Sequence, residues 1–207
     1  ARPVVEEYIA DTIGPKAAIR DFGRTLQVLA RFGPFRGRAM FGALAGALAW
    51  GVLDALRAEL DVPVIDVIAP GAHALVRTTT TGRVGVIGTV GTVSSGAYVR
   101  AIAAGGAPVT LSSAACPGFV EFVERGQTVG DEVTVLAERL LAPVREAEVD
   151  ALLLGCTHYP FLARTISDVM GQGVTLVSSA DETAFAVQHQ LAELGLLRSD
   201  DRRGTHR

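Results

Sequence analysis

The sequence predicts an α/β fold, with parallel strands in a sheet and helices flanking both of its faces. Three observations point there. Short, nearly continuous apolar runs recur along the chain, as strands buried on both faces require. Segments with helical spacing of apolar residues lie between them. Polar residues, one of them a thiol, follow the runs directly, where open α/β sheets bind ligands.

Val84-Gly85-Val86-Ile87-Gly88 is the first such run, closed by glycine. Ala151-Leu152-Leu153-Leu154-Gly155 and Val174-Thr175-Leu176-Val177 are the next two. Val62 to Ile68 is expected as a fourth strand, with Pro63 at its start, where a missing N–H is tolerated. Tyr8-Ile9-Ala10 is expected to end a fifth. Ile19, Phe22, Leu26 and Leu29 repeat at helical spacing. A helix over 131–146 sets Val133, Leu136, Leu140 and Leu141 on one face. Ser179-Ala180-Asp181-Glu182 has the form of a capping box and opens a helix to about Leu194. Strand–helix alternation of this kind implies parallel strands with crossover helices.

Composition narrows the function. The chain has 207 residues, enough for one large domain or two small ones, and 49% of them are apolar, which excludes a disordered chain. A net charge of −3 gives no electrostatic case for nucleic acid or an anionic membrane surface. The most apolar region, Ala39 to Leu56, is interrupted by Gly42, Gly46, Gly51 and Asp54 and falls short of a membrane span. Ala1 to Glu7 lacks a secretory signal pattern, and the two cysteines are too few for a disulfide scaffold. A cytoplasmic protein with free thiols is the expectation.

The polar residues after strands are Asp11-Thr12, Thr89 with Thr92, Cys156-Thr157-His158 and Ser178-Ser179. Cys156 precedes a helix that Pro160 helps to start, and a thiol at a helix N-terminus is expected to have a lowered pKa. His158 could hold or exchange its proton. On local chemistry alone a buried structural thiol is an equal reading. Cys116 has no His or Arg beside it and reads as structural. Glu124, beside Arg125, reads by itself as a solvated helix-surface carboxylate, and Asp11 as a strand-end cap. Thr89 and Thr92 either cap the next helix or present hydroxyl and N–H groups to an anion. His73, His189 and His206 have no partners at metal-ligand spacing, so no metal is expected. Lys16, the only lysine, sits in the turn Gly14-Pro15-Lys16, which argues against pyridoxal phosphate, and no Gly-rich phosphate loop is present. No cofactor is expected.

Leu154-Gly155-Cys156-Thr157-His158-Tyr159-Pro160 resembles the second catalytic motif of the cofactor-independent glutamate racemases. Several other stretches resemble the same family. They are Val84 to Thr89 with Thr92 and Tyr98, Val62 to Ile68, and Ala115-Cys116-Pro117 with Phe119-Val120 and Glu124. Val177 to Thr183 is a further one, and the likeness is strong from about Leu53 to Leu197. It implies two similar α/β domains with the active site in the cleft between them. The first, incomplete domain would comprise 1–70 plus 178–207, and the second 71–177.

The implied activity is interconversion of L- and D-glutamate for peptidoglycan precursor supply. Two acid/base groups act on opposite faces of a planar carbanion. By this resemblance Cys156, His158, Glu124 and Asp11 are catalytic, and Thr157, Thr89, Thr92 and Gly14 bind substrate. The implied partner is a small molecule, glutamate, with no nucleic acid and no membrane, and the family leaves room for a homodimer.

The chain also departs from the family's pattern. It is expected to begin after the family's Asp-Ser-Gly strand, and Asp11-Thr12 runs through Ile13 directly to Gly14. It is likewise expected to lack the family's C-terminal helix and strand after Leu197. Where the first catalytic motif reads Ala-Cys-Asn-Thr/Ser-Ala, this sequence has Leu44-Ala45-Gly46-Ala47-Leu48. Ala45 in place of a catalytic cysteine keeps one alternative open, a catalytically inactive racemase-derived binding or remnant protein. Another amino-acid racemase or a Cys-dependent lyase of the superfamily is a second.

Overall fold

A computed structural model describes residues 63–197. Four parallel strands form one sheet there: β1 (Arg83–Gly88), β2 (Thr110–Ala115), β3 (Ala151–Leu154) and β4 (Thr175–Ser178), side by side in the order β2-β1-β3-β4. Helix α1 (Ile68–Thr78) precedes the sheet, and α2 (Val90–Ser94) and α3 (Ala97–Ala104) join β1 to β2. Helices α4 (Phe119–Glu124) and α5 (Asp131–Glu146) join β2 to β3. A 3₁₀ turn (Tyr159–Leu162) and α6 (Ala163–Met170) join β3 to β4, and α7 (Ser179–Glu193) follows. The expected strand over 8–10, the helix through Ile19–Leu29 and the motif position 44–48 lie outside the described residues.

Side-chain alternation along the strands divides the core in two. Val84, Val86, Ala151 and Leu153 bury against α1 and α3 on one face. Ile87, Leu152 and Leu154 bury against α5 and α6 on the other. Ile87, Leu152 and Leu153 are fully buried, each contributing about 1.5–3 kcal/mol relative to an exposed position. On α5 the wholly buried line is Val133, Ala137, Leu141 and Val144, with Leu136 and Leu140 packed on its flank.

Two expectations shift. The run from Val62 to Ile68 is not a strand within the described residues. Asp66 makes one isolated bridge pairing, and the helix begins at Ile68. The reason is Asp66, whose Oδ1 accepts the N–H groups of Ile68 (2.9 Å) and Ala69 (2.7 Å) and so caps α1. Pro70 then falls in the first turn, where a helix tolerates it. The capping residue of α7 is Ser178, which accepts from the Asp181 N–H at 3.3 Å. Ser179 cannot serve, because its buried hydroxyl donates to the Leu154 carbonyl at 2.8 Å. That bond ties the start of α7 to the end of β3, and Arg77 of α1 meets Glu182 of α7 at 3.7 Å.

The connections reverse at β1. From β1 the chain crosses one face through α3 to β2. It then crosses the other face through α5 and places β3 on the opposite side of β1. A crevice opens beyond the carboxyl ends of strands at such a switch. That rule places the candidate site past Gly88 and Leu154, at the carboxyl ends of β1 and β3.

Candidate active site

Gly155 ends β3 with its N–H donating to the Ile87 carbonyl at 2.8 Å. A Cβ there would stand 2.8 Å from that oxygen and 3.2 Å from the Tyr98 ring, so only glycine fits. This close approach holds Cys156 just past the carboxyl end of β3. Cys156, Thr157 and His158 form a turn, closed by the Tyr159 N–H bonding to the Cys156 carbonyl at 3.1 Å. Pro160 stands in the first turn of the short 3₁₀ segment that follows.

His158 faces Cys156 through one ring nitrogen and Glu124 through the other. Nδ1 lies 3.8 Å from Cys156 Sγ, and Nε2 lies 2.7 Å from Glu124 Oε1. Glu124, at the end of α4 and 68% exposed, therefore pairs with a histidine 34 positions away, not merely with solvent beside Arg125. A carboxylate on Nε2–H leaves Nδ1 as the lone-pair nitrogen facing the thiol.

The expected lowering of the Cys156 pKa is not found. Burial pushes the thiol above its ordinary value, opposed only in part by hydrogen bonds from the His158 and Tyr159 N–H groups. The segment after Cys156 is a 3₁₀ turn and not an α-helix, so its aligned dipoles are few. A raised pKa makes the thiolate, once formed, a stronger base toward carbon.

At the end of β1, Thr89 caps α2 by accepting the Thr92 N–H at 3.2 Å, and the two hydroxyls meet at 3.0 Å. Ile87 is registered against Leu154, so Thr89 and Cys156 leave adjacent strands at the same edge. Thr157 is exposed beside them. Asp11 and Gly14 lie outside the described residues. Ser179, one of the polar residues expected after a strand, sits buried at the start of α7. Tyr98 and Tyr159 were not singled out from the sequence as site residues, since a buried aromatic in an apolar run carries no local signal. Burial raises the Tyr98 hydroxyl, a hydrogen bond with Ser179 opposes this, and Asp66 and Cys156 are close enough to add to the rise. Among the described residues no group of three His, Cys, Asp or Glu side chains is arranged to hold a metal ion. No helix among them is long and apolar enough to cross a membrane.

Cys116 differs from Cys156 in exposure and in its partners. It is 1% exposed, and burial pushes its thiol up to about 12. Iodoacetamide is expected to label Cys156 and spare Cys116 in the native protein, read by peptide mapping. Because burial raises the Cys156 thiol above its ordinary value, labelling should go on accelerating with pH beyond the range of an ordinary thiol. Preferential modification of Cys116 would reverse the assignment.

The family model for Asp/Glu/Hydantoin racemase matches residues 10–187. The chain belongs to this family. The glutamate racemase of Saccharopolyspora erythraea is 44% identical over 204 residues, which are 96% of this chain and 74% of that protein. That of Parafrankia sp. is 54% identical over 145 residues, 70% of this chain. Those residues span only 52% of the Parafrankia protein, about half its length. A glutamate racemase isoform from Bacillus anthracis superposes with a TM-score of 0.80 at 32% identity, covering 95% of this chain and 79% of the other. The Francisella tularensis glutamate racemase, solved in complex with D-glutamate, superposes with a TM-score of 0.73 at 25% identity, covering 97% and 68%. The α/β fold with a parallel sheet flanked by helices is thus that of the glutamate racemases, which are amino-acid isomerases. The reading as an inactive remnant is not favoured by these likenesses.

Proposed function

We propose that this chain is a glutamate racemase homologue that carries out the family's α-proton transfer on glutamate, with Cys156 as the acid/base on one face of the α-carbon. The observation that carries the reading is the line Cys156–His158–Glu124 at the switch point of the sheet. His158 takes the thiol proton through Nδ1, Glu124 balances the resulting imidazolium, and the thiolate removes the α-proton. The carbanion and its carboxylate are held by hydroxyl and N–H groups, for which Thr89, Thr92 and Thr157 stand ready at the same edge. Asp11 and Gly14 complete the site from the other half of the protein. That half comprises 1–70 plus 178–207, and the half over 71–177 carries Cys156. The D-glutamate bound by the Francisella relative supports the substrate assignment. D-Glutamate for peptidoglycan precursors, made in the cytoplasm by a homodimer, is the physiological setting we infer.

Inversion also needs an acid on the opposite face. The sequence places Ala45 where the family's other cysteine stands. Incubation of L- and D-glutamate in D2O, followed by proton NMR for the α-position and circular dichroism for handedness, tests the proposal. α-Deuteration with retention on one enantiomer is expected to outrun inversion. Absence of exchange on both enantiomers would sink the assignment. Inversion as fast as exchange would show that a group other than a thiol at position 45 serves the second face.

A further inference from the structure

We infer that Tyr159 is a positioning residue that holds Glu124 against His158. The inference rests on the reading of Cys156, His158 and Glu124 as a working set, and extends it to the group that keeps them registered.

Tyr159 is wholly buried, and its hydroxyl donates to the Cys116 carbonyl at 3.1 Å. The Cys116 N–H in turn donates to the Gly88 carbonyl at 2.9 Å. The hydroxyl thus links the segments that leave β2 and β3, and the Cys116 N–H ties the first of them to the end of β1. The Tyr159 ring meets Phe119 edge-on, with centroids 5.3 Å apart and planes at 78°. Phe119 is the first residue of α4, and Glu124 is the last. The path closes on itself, from His158 to its neighbour Tyr159, across to Phe119 and Cys116, along α4 to Glu124, and back to His158 Nε2 at 2.7 Å.

The brace matters because α4 is short. It has six residues, and its outward side chains Glu121 and Glu124 are exposed, as is Arg125 just after it. It springs from Gly118, whose φ of +94° is a left-handed bend. A helix this short does not fix its own orientation. Val120, Phe122 and Val123 pack partly buried against the core, and the helix's fully buried side chain is Phe119, which is 1% exposed and meets Tyr159 edge-on. A phenylalanine at 159 would fill the same core space. The hydroxyl therefore serves the Cys116 carbonyl and the turn that launches α4, and packing alone does not require it.

The test is the rate of Cys156 alkylation by iodoacetamide in the full chain, across pH, in Glu124→Gln, Tyr159→Phe and the double variant. Each single substitution is expected to slow labelling by about three- to tenfold at neutral pH and to move the pH profile in the same direction. The double variant is expected to be no slower than Glu124→Gln alone, because both changes remove one arrangement. Unchanged labelling in Tyr159→Phe, with Glu124→Gln slowed, overturns the role of Tyr159 and leaves the catalytic set standing. Losses that multiply in the double variant overturn it equally, since they mark a purely structural residue. Unchanged labelling in Glu124→Gln overturns the set itself, and the inference with it. If Tyr159→Phe fails to fold, Phe119→Leu carries the same comparison from the other side of the ring contact, with the same outcomes deciding.

Discussion

Replacing Cys156 with alanine is expected to slow α-proton exchange on glutamate by about 10²–10⁴-fold while leaving the fold intact. The thiol is half-buried just past the end of β3, its polar contacts are His158 and two backbone N–H groups, and it packs only on the flank of the core. Losing one sulfur there removes the base and opens no core cavity. The same change at Cys116 is expected to act in the opposite way. That thiol is packed in the core beside Phe119 and Tyr159, so its loss costs stability and spares exchange. Its titration gives a matching sign. The folded state holds the Cys116 proton up to about 12, so the related stability is complete below the ordinary 9.0 and is lost as pH rises between them. Exchange by NMR and thermal unfolding, measured on both variants, separate the roles. Equal exchange in the native chain and Cys156→Ala would remove Cys156 from the mechanism.

How much of this was legible in the sequence depended on whether a residue's role was local. Strands β1 and β3 are central and buried on both faces, so their apolar runs announced them. Strand β2, Thr110-Leu111-Ser112-Ser113-Ala114-Ala115, was not predicted, because an edge strand is half-exposed and its composition is that of a loop. Val62 to Ile68 has strand-like residues, yet Asp66 uses its carboxylate to start a helix there. At the site, the Cys156 and His158 pair was readable from two-residue spacing. Glu124 was not readable from the residues alone, since only the fold brings position 124 within 2.7 Å of position 158. The direction of the Cys156 pKa was misjudged for the same reason. A helix start is a local feature, whereas the desolvation that outweighs it comes from elements distant in sequence.

Gly155→Ala should be the most damaging single methyl group that can be added to the described part of the site. Gly155 is not among the residues in the left-handed region, so an alanine there suffers no backbone penalty of its own. The cost comes from what the Cβ meets, the Ile87 carbonyl oxygen at 2.8 Å. That oxygen belongs to β1 and is already bound to the Gly155 N–H, so it cannot swing aside as a flexible side chain would. Relief requires β1 and the end of β3 to part. Overpacking of this kind costs about 1–3 kcal/mol. The parting displaces Cys156, the next residue, from His158 Nδ1, to which it is already at the long separation of 3.8 Å. A shift on the order of 1 Å in a reacting group can cost about 10²-fold in rate. The expected result is a lowered melting temperature together with a loss of α-exchange out of proportion to it. Gly173→Ala is the control, because nothing lies within 4 Å of a Cβ at that position and the chain there is exposed. Native-like melting and exchange in Gly155→Ala would show that the close approach to Ile87 does not set the position of Cys156.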